Sequence, residues 1–185
     1  MIDALNAEVS SKMDRASEAL RHEMARIRVG KATPGLLDGI KVDYFGSILP
    51  INQLANITTP ELRLIVIQPW DKNAAPEITK AIQKSDLGLN PNFDGTLIRI
   101  PIPPLTEERR KDLVKITRKL AEEGRVSLRN IRRDAIAKLK AAEKNHEISE
   151  DDSYRAAEKI QEMTDNSITQ MDSILEAKEK EIMEV

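Results

Sequence analysis

The 185-residue chain has no cysteine and only two histidines, His22 and His146. The first absence excludes disulfides, thiolate metal sites and cysteine nucleophiles, and suits a reducing compartment such as the cytoplasm. The second leaves too little imidazole for a zinc site or a histidine-based triad. Aromatic residues make up 3% of the chain, so stacking on unpaired bases is a poor basis for recognition. No apolar run approaches the roughly 18 residues that a spanning helix needs. The opening MIDALNAEVS lacks the basic start and apolar block of a signal peptide. No Gly-rich phosphate loop of either common spacing occurs, so the chain is not expected to hydrolyse nucleotide itself. Carboxylates are plentiful but sit on helical faces or at caps beside basic residues. The reading is therefore of a non-enzyme without cofactor, metal or membrane partner.

What is present is unevenly distributed. All nine prolines lie between Pro34 and Pro104, and six of the seven glycines lie between Gly30 and Gly95. Proline and glycine break helices and punctuate turns, so their confinement marks a change of architecture. A mixed domain is expected at 31–104, inserted between helical segments 1–30 and 105–185. In the first flank Ile2, Leu5, Val9, Met13, Ala16, Leu20, Met24 and Ile27 step by threes and fours along one helical face. Leu113, Leu120, Gly124, Leu128, Ile131, Ala135 and Leu139 repeat the pattern, as do Ala157, Ile160, Thr164, Ile168, Met171, Leu175 and Ile182. Three such stripes bury one another most simply as an antiparallel three-helix bundle. Within the insert, 63–70, 97–102 and 40–44 read as strands, and 73–85 reads as a short helix with Pro76 in its first turn. The fold class is α+β. Both connections to the insert leave one end of a long rod, which predicts an L with a bend at 28–31 and 101–104.

A net charge of −2 hides a separation. Residues 105–140 hold 12 basic and six acidic side chains, whereas 141–185 hold five and 13. At 3.6 residues per turn, Lys111, Lys115, Arg118, Arg125, Arg129, Arg132 and Arg133 fall within an arc of about 100°. The apolar stripe lies roughly 130° away, so much of this basic face should stay exposed. Exposed guanidinium groups in line suit phosphate, and the scarcity of aromatics favours backbone and shape recognition of folded RNA. The other reading of the same charges is a helical adaptor whose charged faces bind protein partners.

Several segments in order carry a resemblance that spans the whole chain: SDLGLNP at 85–91, PPLTEERRKDL at 103–113, RNIRRDA at 129–135, EISEDD at 147–152 and IQEMTD at 160–165. Together they resemble the bacterial ribosome recycling factors. At the elbow, where that family usually reads Arg-Thr-Gly-Arg, this chain has Arg28, Val29, Gly30 and Lys31. The resemblance implies a transfer-RNA-like outline and a monomer that, with elongation factor G and GTP, splits post-termination ribosomes into subunits. It implies docking on large-subunit ribosomal RNA by Arg28, Arg110, Lys111, Arg118, Arg125, Arg129, Arg132 and Arg133. It also implies a hinge of Val29, Gly30, Lys31, Pro101, Pro103 and Pro104.

Overall fold

Apolar residues at helical spacing give three long helices, seen in a computed structural model that describes residues 1–184. These are α1 (Ile2–Arg26), α3 (Glu107–Lys144) and α4 (Glu150–Met183). α3 and α4 start and turn where local chemistry satisfies free backbone groups. The Thr106 hydroxyl accepts from the Arg109 N–H at 3.2 Å and caps α3, with Glu107 and Glu108 at the positive end of the dipole. Between α3 and α4 the chain turns sharply: Glu147 N–H donates to the Ala142 carbonyl and His146 N–H to that of Glu143. These are the paired bonds of a Schellman ending, with His146 in the left-handed region at φ 57°. Ser149 then caps α4 by accepting from the Asp152 N–H at 3.0 Å.

The helices bury one core, with Val9, Met13, Leu128, Leu139, Ile160 and Met171 among its inaccessible side chains. Contacts across the helices run in opposite residue order. Arg118 meets Glu179 and Arg125 meets Asp172, so α4 is antiparallel to α3. Likewise Glu8 meets Lys138 at one level and Leu20 approaches Gly124 at another, so α1 is antiparallel to α3. Lys178 is the unexpected member. It lies on the buried stripe of α4 between Leu175 and Ile182, its side chain 9% exposed and paired with Glu181 at 3.1 Å.

The chain forms two compact units, 1–28 with 106–184 and 29–105. The second unit is more strand-rich than the sequence suggests. A hairpin joins β1 (Lys41–Tyr44) and β2 (Ser47–Pro50), and a four-stranded antiparallel sheet has the order β3-β4-β6-β5. Its strands are β3 (Ala55–Glu61), β4 (Leu64–Pro69), β5 (Asn92–Phe93) and β6 (Ile98–Pro101). The expected strands correspond to β1, β4 and β6. β3 escapes the sequence pattern because it is an edge strand: Pro60 and a register shift between Thr58 and Glu61 interrupt its pairing. The expected helix is α2 (Ala75–Lys84), preceded by a 3₁₀ turn at Lys72–Ala74. Ile65, Ile67, Ile78, Ile82, Ile98 and Ile100 make the core of this unit. At the β1–β2 turn both Phe45 and Gly46 have positive φ, as a two-residue hairpin turn requires, and Asp43 accepts from the Gly46 N–H.

Candidate nucleic-acid interface

The α3 helix places the basic residues by its period alone, and the neighbouring α4 then divides them. Arg118 Nε donates to Glu179 at 2.6 Å, and Arg125 Nη1 donates to Asp172 at 2.6 Å. Both arginines thus tie α3 to the acidic helix beside it. Arg125 departs from the expectation of an exposed stripe: its side chain is only 20% exposed, and its Nε is also bonded to Glu122 at 2.9 Å. The reason is geometric. Arg125 lies on the side of α3 that meets α4, where Asp172 is within reach. Its hydrogen bonds to Glu122 first, and then to Asp172, hold the Arg125 guanidinium even more firmly protonated than usual. Hydrogen bonding to Glu179 does the same for Arg118.

The other basic residues are less committed. Lys111 and Lys115 are exposed and make only local pairs, with Glu107 at 2.7 Å and Asp112 at 4.0 Å. Arg129 Nη1 donates to Glu122 at 3.1 Å. Arg132 and Arg133 are exposed and form no ion pair among the described residues. Together with Val126, Asn130 and Ile136, the three arginines 129, 132 and 133 line an open depression of about 470 Å³ on the outer face of α3. Its apolar floor and cationic rim suit a sugar-phosphate segment, since the guanidinium groups can grip phosphate oxygens bidentately. Arg28 is exposed just beyond α1, and Arg110 is half-buried and engaged.

The residue that sequence reasoning passed over is Glu122. Helical arithmetic places it inside the arc of basic residues, so its position was available from spacing alone. Hydrogen bonds from Arg125 and then Arg129 push its carboxyl below the ordinary range, which keeps it ionised.

At the connections between units, Val29 is buried, Gly30 has φ 77°, and Lys31 is half-buried. Pro101 closes β6, and Pro103 and Pro104 follow it, exposed. Within the second unit, both connecting segments bond to one turn: Ala32 N–H donates to the Leu62 carbonyl and Ile102 N–H to that of Arg63, each at 2.8 Å. Among the described residues no cluster of three or more His, Cys, Asp or Glu could hold a metal, and no helix is long and apolar enough to cross a membrane.

A family model described as ribosome recycling factor matches residues 20–183. The ribosome-recycling factor of Syntrophomonas wolfei is 56% identical over the full length of both chains, and that of Moorella thermoacetica is 58% identical, again end to end. Among solved structures, a solution structure of a ribosome recycling factor covers the whole chain at 45% identity with a TM-score of 0.71; 98% of that chain is matched. A second, at 50% identity and a TM-score of 0.61 over 98% of both chains, is the Thermus thermophilus factor with Escherichia coli elongation factor G on the E. coli post-termination complex.

Proposed function

The chain belongs to the ribosome recycling factor family, and from that premise we propose how its two units divide the work. The protein is a translation factor that acts with elongation factor G on post-termination ribosomes, freeing their subunits for another round. The helical unit is the docking arm. Its α3 face meets large-subunit RNA, with Arg132 and Arg133 as the principal phosphate contacts and Arg129 beside them. Arg28, Arg110 and Lys111 extend that contact towards the unit boundary, while Arg118 and Arg125 hold α4 in place. The 29–105 unit is the arm that elongation factor G displaces. Val29, Gly30 and Lys31 on one connection, and Pro101, Pro103 and Pro104 on the other, act as the hinge. The free energy comes from GTP hydrolysis on elongation factor G, so the chain itself carries out no chemistry. It works in the cytoplasm, as a monomer.

The observation that carries the docking assignment is the state of Arg132 and Arg133: exposed, beside an apolar depression, and bound to no carboxylate of the described chain. A light-scattering assay on post-termination ribosomes tests the whole reading. Subunits should separate only when the protein, elongation factor G and GTP are all present. Arg132→Ala with Arg133→Ala should abolish that signal. Splitting at the unmodified rate by this double variant would remove α3 from the docking surface.

A further inference from the structure

Glu122 is placed where an RNA phosphate would have to compete with it. Within the basic arc between Lys111 and Arg133 it is the single carboxylate. One of its oxygens accepts from Arg125 Nε at 2.9 Å, and the other from Arg129 Nη1 at 3.1 Å. The two arginines are held differently. Arg125 is largely covered and has a second bond, to Asp172 on α4. Arg129 is 53% exposed, has no ion-pair partner other than Glu122 among the described residues, and lines the depression together with Arg132 and Arg133. A phosphate seated in that depression therefore recruits Arg129 only by drawing its guanidinium away from Glu122. The carboxylate left behind repels the phosphate.

We propose that Glu122 is an internal competitor for the RNA phosphate, holding Arg129 in the free protein and taking it back as the protein leaves the large subunit. The proposal rests on the reading of α3 as the docking face and adds to it a device that limits residence time. Arg129 has a partner in both states, so the exchange is nearly balanced. An exposed Arg–carboxylate pair is weak enough to open readily, yet it lowers the net gain on docking. For a factor that must bind and leave once per round, weaker binding is useful because affinity within one interface is tuned mostly through dissociation.

The test is binding of the full-length protein to purified large subunits, with dissociation followed by stopped flow. Glu122→Gln keeps an oxygen acceptor for Arg125 and removes the charge. It should slow dissociation and tighten binding by about two- to five-fold. The plot of log affinity against log salt should steepen by up to about 0.7–0.9, because the Arg129 charge is no longer offset by Glu122. That gain should vanish in an Arg129→Ala background. Glu122→Asp withdraws the carboxylate from Arg129 by one methylene and should show a smaller gain of the same sign, which keeps the test valid if the amide loosens the bundle. Unchanged binding and salt slope in both variants would overturn the proposal, as would weaker binding, which would make Glu122 an aid to Arg129. Arg132→Ala is the separate arm. If it leaves affinity unchanged, the docking face is misplaced and the proposal falls with it; if it weakens binding while Glu122→Gln has no effect, only the role of Glu122 is wrong.

Discussion

A Cβ built on Gly124 of α3 stands 2.9 Å from the Met171 sulfur and 3.3 Å from its terminal methyl. Glycine in mid-helix ordinarily costs about 0.5–1 kcal/mol relative to alanine. Here the missing Cβ leaves the space that the tip of the fully buried Met171 side chain fills. Gly124→Ala should therefore lose stability despite its better helix propensity, because overpacking a filled core typically costs about 1–3 kcal/mol. In a Met171→Ala background the same change should become stabilising, since the added methyl then enters a cavity. Thermal melts of the four proteins in this cycle measure the coupling; additive effects would show that Met171 swings aside freely.

Gly124 also marks how far the sequence could be read. Its place on the apolar stripe followed from spacing, but its need for glycine depends on which side chain faces it from α4. Period and composition made the three helices, the insert and its three main strands legible. The edge strand β3 was not, because Pro60 and exposed Thr58 and Thr59 mimic a loop. The basic arc was legible as an arc. Its division was not, because only packing decides that Arg118 and Arg125 reach Glu179 and Asp172 while Arg132 and Arg133 reach no carboxylate among the described residues.

Under the docking role proposed for α3, that division separates stability from docking. Arg125→Ala should lower the melting temperature, since it removes a partly buried side chain and leaves Asp172 without its partner. Arg132→Ala should leave melting within about ±0.5 kcal/mol of the unmodified protein while weakening large-subunit binding by about 1.5–3 kcal/mol. Circular dichroism melts and equilibrium binding on the same preparations check both. The reverse pattern would make Arg132 the structural residue.

Lys178 is a charge inside the bundle, on a stripe otherwise read as apolar. The pair is buried at its lysine end only, since the Glu181 side chain is 35% exposed, and such a pair gains little over a hydrophobic side chain of similar volume. Lys178→Met should be neutral or mildly stabilising. Glu181→Ala should destabilise, and the loss should shrink when Lys178→Met is also present. Denaturant unfolding of the single and double variants measures this; a destabilised Lys178→Met protein would show that the ammonium makes a contact more valuable than its pair.

In the 29–105 unit the Tyr44 hydroxyl donates to the Asp71 carboxylate, and Asp71 also accepts from the Asn73 N–H at 2.9 Å. The bond to Tyr44, and then that to Asn73, lowers the Asp71 pKa, while the bond to Asp71 raises that of Tyr44. The signs differ at the two ends of the pH scale. A depressed carboxylate stabilises the fold above its ordinary value near 3.8 and loses this as pH falls. A raised phenol stabilises below its ordinary value near 10.0 and loses this as pH rises. The protection of the Asn73 amide from exchange, relative to its intrinsic rate at each pH, should fall at both extremes. Tyr44→Phe should abolish the alkaline limb and reduce the acid one, and an unaltered alkaline limb would mean that another group controls it.

The hinge assignment turns on Gly30. Its φ of 77° lies in the left-handed region, where a residue with a Cβ pays about 1–2 kcal/mol and asparagine is tolerated better than most. Replacing it should change the conformations open to the connection without touching the α3 face. If the 29–105 unit must turn while the helical unit stays docked, Gly30→Val should split post-termination ribosomes slowly yet bind large subunits with nearly unchanged affinity. Gly30→Asn should recover most of the splitting rate, because its short polar side chain accepts positive φ. The comparison of the two variants isolates backbone conformation from side-chain size, since neither carries charge into the elbow. Equal splitting by Gly30→Val and the unmodified protein would place the moving joint elsewhere. Equal losses in binding and splitting would show that 28–31 is a docking segment, with Arg28 and Lys31 as its contacts.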